Sequence, residues 1–386
     1  FKQKTAYEIP LRLVGSEMCI RDRSLGDVAD LNTLNGYTTG NVDASTIATL
    51  TGTISALNIA YAASSALGNG ISGLGNEAVV VSDTGTITDV AALTTLNGNT
   101  TGAVNADSVA GFEASISDLN TMYAGAVSSG NGITNIGDKN VSITDTSVSD
   151  ASTLNTLNGY TSGTITADSV TALTGTASVL NTLLTAGNNA SVANQFSANS
   201  FASLATATVS DSTMSIADLN GAIAQANTAT GKSTFAAGAT VFSVSSGATI
   251  NTGAEAAFST LLDNQTNGLI TLTDQNLTVS SGTISVDNAN LLSATTTGTV
   301  TASITTTESI TELKTLTETS NAYTIVISSA DATATAEDLS AIDGKTTAMV
   351  DASAVTAISG TYDQITALYG YNIPAESYGF TGLGNE

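Results

Sequence analysis

Leu154-Asn155-Thr156-Leu157-Asn158-Gly159 is the stretch whose reading decides the fold. It recurs at Leu31–Gly36 and Leu93–Gly98, and loosely at Leu339–Gly344. The second and third copies begin 62 and 123 positions after the first. Leucines at i and i+3 share one face of a helix. The Asn-Gly that follows predicts a stop, with Gly36, Gly98 and Gly159 in the left-handed conformation past the last turn. Asp27, Asp89 and Asp150 stand four positions before the first leucine, and Ser215 and Thr335 hold that offset before Leu219 and Leu339. All five are residues of types favoured as N-caps, so each phrase reads as a short capped helix.

A second helix series lies between the first. Its anchors Leu57, Leu119, Leu180 and Ile365 follow Leu31, Leu93, Leu154 and Leu339 by 26 residues, and Thr53, Ser115, Thr176 and Thr361 stand at the cap positions. Helices this short are unstable alone, so each must dock its apolar face on something that also repeats. Alternating runs supply it. One set ends in aspartate: Val79–Asp83, Val141–Asp145 and Ile270–Asp274. The other is Val42–Ala44, Val104–Ala106, Ile165–Ala167, Val300–Ala302 and Val350–Ala352. Alternation with β-branched residues predicts strands. The expected fold is an elongated solenoid of short parallel β-strands alternating with short capped helices. Its unit is about 62 residues in two halves of about 31, within the range of known repeat architectures.

Residues 24–190 hold the regular repeats. In residues 191–335 Leu219, Leu292, Leu313 and Asp211 keep fragments of the pattern, which reads as diverged repeats. The register resumes over 336–386, and Gly382-Leu383-Gly384-Asn385-Glu386 matches Gly73–Glu77 letter for letter, so the chain is expected to be truncated at a unit-closing loop. Residues 1–23 stand apart. They carry five of the nine basic residues and Cys19, the one cysteine, and they resemble a translated sequencing adapter. They are expected to be disordered and not to pack on the rest. Without their five bases and three acids, the whole-chain charge of −24 becomes −26 on residues 24–386.

That balance argues against nucleic acid and anionic membrane as partners, because both require clustered Lys and Arg. Nothing in the sequence approaches the roughly 18 apolar residues of a membrane span. With no histidine and no cysteine beyond residue 23, Ser-His-Asp, Cys-His and ordinary zinc sites are excluded there. Ala226–Ser233 fits a relaxed phosphate-loop pattern, but a capped helix precedes it where a strand is required. Gly68–Gly73 fits a dinucleotide fingerprint but lies in a unit-closing loop.

One column of residues invites a functional reading: Asp83, Asp145, Asp211 and Asp274, the acids at strand ends. The sharper reading is Ca²⁺ binding through carboxylate and carbonyl oxygens, completed by Asp43, Asn105 or Asp351. The plainer one is a turn residue bonding its own backbone. With one strand spacing per coil, equivalent acids would lie about 9–10 Å apart, too far to share an ion unaided.

The Thr/Ser/Asn-rich, cysteine-free repeats over residues 24–386 resemble those of very large bacterial surface proteins, adhesin-like and surface-layer-like chains. The resemblance implies an extracellular or cell-surface location and a non-enzymatic structural or adhesive role, with no required cofactor. Self-association, surface glycans and divalent cations are the partner classes it implies. Two alternatives stand beside it. Thr295–Thr297 and Thr305–Thr307 prompt an ice-binding face. A repeat-borne carbohydrate-active enzyme would need a carboxylate pair and aromatic platforms, which 5% aromatic residues and no tryptophan disfavour.

Overall fold

A computed structural model describes residues 26–64, 70–127, 132–188, 196–197, 200–228, 238–370 and 379–384. Residues 1–23, and with them the adapter-like stretch, lie outside the described residues. The fold is α/β: short helices alternate with short strands, and every strand pair is parallel. The chain forms two compact units.

Among the described residues, the first unit comprises those within 26–145, 156–167 and 196–197. One of its sheets orders Thr49–Gly52, Ala78–Val81, Val104–Asn105 and Ile133–Thr134. A second orders Thr86–Ile87, Gly111–Ala114, Asn140–Ile143 and Ile165–Thr166. The register stacks like on like. Leu50 pairs with Val79, Val79 with Val104, and Val104 with Ile133, and all four are buried. Ile87, Phe112, Val141 and Ile165 form the equivalent column.

The second comprises the described residues within 146–155, 168–188 and 200–384. Its five-stranded sheet buries the column Val148, Leu173, Ala207, Phe242 and Ile270. A seven-stranded sheet runs from Thr213–Ser215 to Phe380–Thr381, and Thr333–Thr335 pairs separately with Ala357–Ser359. Both sheets are open ladders in which successive rungs come from successive passages of the chain, each passage carrying a helix.

The leucine phrases are helices: Val28–Tyr37, Val90–Asn99, Ser152–Tyr160 and Ala336–Asp343. The second series is Ile54–Ser64, Ile116–Val127, Ala177–Asn188 and Tyr362–Gly370. Leu31, Leu93, Leu154, Leu339, Leu57, Leu119 and Leu180 are fully buried. Leu219, Leu292 and Leu313 of the diverged stretch also lie on helices and are buried. The predicted caps work at close range: Asp27 accepts from Ala29 N–H, Asp89 from Ala92, Thr335 from Asp338, and Thr53 from Ala56. Asp150 sits two residues ahead of its helix and accepts from Ser152.

Two expectations need correction. Gly36, Gly98 and Gly159 do not take positive φ; they lie inside the last helical turn. The helix ends two residues later, at Thr38 and Thr100 in extended backbone. Positive φ is found instead at other glycines, among them Gly73, Gly75, Gly382 and Gly384 of the unit-closing loops. A Cβ on Gly73 would come within 2.6 Å of Ser45, and one on Gly382 within 2.6 Å of Ser353. The second correction adds strands at Thr49–Gly52, Gly111–Ala114 and Ala172–Gly175, directly before the second helix series. Gly52 sits there because a Cβ would overlap Val28 Cγ1 at 2.1 Å.

Candidate functional site

The strand-end acids hold helix termini rather than meeting each other. The Asp83 carboxylate accepts from the N–H of Ile54, 2.8 Å away and 29 residues earlier. Asp145 accepts from Ile116 N–H at 2.7 Å, and Asp211 from Ala177 N–H at 2.7 Å. Each donor is the first N–H of a second-series helix, a group with no partner inside its own helix. The cap hydroxyls of Thr53, Ser115 and Thr176 take a different N–H, two residues further on, at 3.2 Å. Every such terminus is therefore closed twice, once locally and once by an acid from the following passage of chain. A carboxylate there also opposes the positive end of the helix dipole.

Asp274 departs from the column. It accepts from the Ser246 hydroxyl, and that bond first, then the Gly247 N–H, holds its carboxyl below the usual range. Two residues absent from the sequence-derived column cap helices in the diverged stretch: Glu308 accepts from Val286 N–H at 3.2 Å and Asp331 from Ile310 N–H at 3.1 Å. A search for acids 20 to 35 residues beyond each helix start would have found them.

Asp43, Asn105 and Asp351 each accept from the N–H two residues on, all at 2.9 Å, the Asx-turn pattern. Among the described residues, no three His, Cys, Asp or Glu side chains converge as a metal would require.

Threonines form a second coil-to-coil column. Thr100, Thr161 and Thr296 are buried, and their hydroxyls donate to the carbonyls of Glu77, Lys139 and Gln275 at 2.7, 2.9 and 2.6 Å. Each hydroxyl also accepts, at 2.9 Å, from the N–H of Gly102, Gly163 or Gly298. The next residue, Thr101, Ser162 or Thr297, donates its N–H to Gly75, Gly137 or Thr273. These bonds end the helices; Thr296 is buried on a carbonyl, and Thr297, though exposed, also donates its hydroxyl to the carbonyl of Thr273, so both hydroxyls are engaged with backbone. Asparagines form a third column: Asn32, Asn58 and Asn220 donate to the carbonyls of Ala56, Ala92 and Ala257 on the next helix.

Glu77 is 2% exposed, and its carboxyl is closed by its own loop. The N–H groups of Gly75 and Asn76 reach one oxygen at 2.9 and 3.1 Å, and the Tyr61 hydroxyl donates to the other. Burial, then that bond, then the Glu77 charge, push the Tyr61 phenol well above its ordinary value. An open groove of about 590 Å³ lies between helix Ile54–Ser64 and residues 83–92. Both of its carboxylates are engaged with backbone, Asp83 on Ile54 and Asp89 on Ala92.

No protein-family model, curated protein or solved structure matches the chain. No helix among the described residues is long and apolar enough to cross a membrane.

Proposed function

We propose that residues 24–386 are a non-enzymatic structural and adhesive repeat segment of a large bacterial surface or secreted protein, its passages continuing as an elongated solenoid. One observation carries the reading. The polar residues that repeat along the chain (the Asp, Thr and Asn columns) are spent on bonds between successive passages. The repeat therefore encodes its own stacking, as a stalk or layer requires, and its polar columns do not converge on a reaction centre. The acidic charge is in keeping with a surface exposed to salt and to divalent cations.

The test is labelling of intact producing cells with antibody raised against this chain, with and without permeabilisation. The reading predicts labelling of unbroken cells. Signal only after lysis overturns it.

A further inference from the structure

Asn-Gly occurs seven times in the chain. The pair is chemically self-reactive, because glycine has no Cβ to shield its amide nitrogen and can turn that nitrogen toward the preceding side chain. The fold treats the copies differently. Asn35, Asn97, Asn158 and Asn220 are half-buried within helices. There the N–H of the following glycine is committed to the carbonyl four residues back. Asn220 is also tied by its side chain, which donates to Ala257 at 2.9 Å and accepts from Asn264 at 3.3 Å. Asn69 and Asn131 lie outside the described residues.

Asn267 differs. It caps the C-terminus of helix Glu255–Thr266 with φ −81° and ψ 0°, and both it and Gly268 are exposed. Gly268 has a φ of +71° and nothing within 4 Å of where a Cβ would stand. Its N–H makes a turn bond to the Gln265 carbonyl at 2.9 Å, at a helix end, where local opening is least costly. Among the described residues this is the one Asn-Gly pair outside a helix.

We infer that Asn267-Gly268 is a self-modifying site, at which asparagine converts to isoaspartate and aspartate without an enzyme. Hydroxide removes the Gly268 amide proton. The nitrogen then bonds to Cγ of Asn267 and the Cγ–Nδ2 bond breaks; Nδ2 takes a proton from water, which restores the hydroxide, and leaves as ammonia. The product is a succinimide ring. Water opens it at either of two carbonyls. Breaking the bond between Gly268 N and Cγ leaves aspartate. Breaking the bond between Gly268 N and the main-chain carbonyl carbon leaves isoaspartate, with the chain running through Cβ and Cγ. Nothing is oxidised or reduced.

The position gives the change a structural consequence. Either product puts a carboxylate at the negative end of the helix dipole. Isoaspartate also lengthens the backbone just before Leu269 and Ile270, both buried. The Leu269 carbonyl accepts from Phe242 N–H at 2.8 Å, and Ile270 pairs with Phe242 in the end strand of the five-stranded sheet. Conversion therefore loosens that end rung. The inference stands on local geometry and not on cellular location, so it fails or survives independently of the surface reading.

The experiment is ageing of the full chain in mildly alkaline buffer, folded or in concentrated urea, followed by peptide mapping with mass spectrometry. In the folded protein the peptide carrying Asn267 should gain the mass of amide-to-acid conversion and split into isoaspartate and aspartate forms. Peptides carrying Asn97, Asn158 and Asn220 should lag about tenfold or more, since the helix must first open and each ~1.4 kcal/mol of opening is a factor of ten. In urea all four should convert alike. Amide exchange reads the consequence: Phe242 N–H should lose protection in aged wild type and keep it in aged Asn267→Gln. Conversion at Asn267 no faster than at the helical pairs in the folded protein overturns the inference. So does a lag that persists in urea, or unchanged protection of Phe242 once isoaspartate has accumulated.

Discussion

Replacing Gly98 and Gly159 by alanine should stabilise the protein. Both lie within helices, at Val90–Asn99 and Ser152–Tyr160, with ordinary backbone and nothing within 4 Å of where a Cβ would stand. Alanine then meets no clash and restricts the unfolded chain, for a gain of about 0.4–1 kcal/mol at each site. The two sites are 61 residues apart and a Cβ at either would touch no neighbour, so the double variant should gain about 1–2 kcal/mol. Gly102→Ala and Gly163→Ala provide the contrast. A Cβ there would lie 2.1 Å from the carbonyl oxygen of Glu77 or Lys139, and relieving such overlap costs about 1–3 kcal/mol or more. Urea titration followed by far-UV circular dichroism measures all four, with midpoint and slope fitted separately because repeat arrays need not unfold in one step. Destabilisation by Gly98→Ala and Gly159→Ala would return these glycines to the left-handed position and refute the helix ends described above.

Thr100→Val keeps the shape but strands the Glu77 carbonyl and the Gly102 N–H; a loss of about 1–3 kcal/mol in the same titration is expected. At low pH, Asp43, Asp150 and Asp274 should matter, each held below the usual carboxylate range first by the hydroxyl of Ser45, Ser152 or Ser246 and then by backbone N–H. A lowered folded pKa adds stability above about pH 4 that is lost as pH falls through the folded value, so acid melts should steepen there and Asp150→Asn should soften the slope. At high pH the raised Tyr61 phenol adds stability that is intact below about pH 10 and lost above it, and Tyr61→Phe should flatten that alkaline limb. Thermal melts of the full chain in calcium, magnesium or sodium at matched ionic strength should coincide if the Asp83, Asp145 and Asp211 carboxylates serve as helix caps; a saturable, calcium-selective rise would restore an ion site in that column.

What could be read from the sequence was whatever is local. The leucine spacing, the cap residue four positions ahead and the alternating valines lie within a few residues of one another, so helices, caps and about a third of the strands were predictable. The strands Thr49–Gly52 and Gly111–Ala114 were not, because Gly52, Gly111 and Ala114 dilute the β-branched signal, and at the two glycines packing leaves no room for a side chain. Asn-Gly resembled a helix stop, yet the real stop is the hydroxyl of Thr100 on a carbonyl 23 residues earlier. The aspartate column was visible as a pattern, but its partner was not. Ile54 N–H lies 29 residues before Asp83, and only stacking of successive passages brings them together.

That bond between passages is the centre of the account, and amide hydrogen exchange reads it directly. The first N–H of a helix ordinarily exchanges fast, since it has no partner within the helix. The N–H groups of Ile54, Ile116 and Ala177 should instead be protected in the wild type. In Asp145→Ala, protection should fall at Ile116 while Ile54 and Ala177 keep theirs, because each depends on a different acid. Fast exchange at all three in the wild type, or unchanged protection at Ile116 in Asp145→Ala, would contradict it.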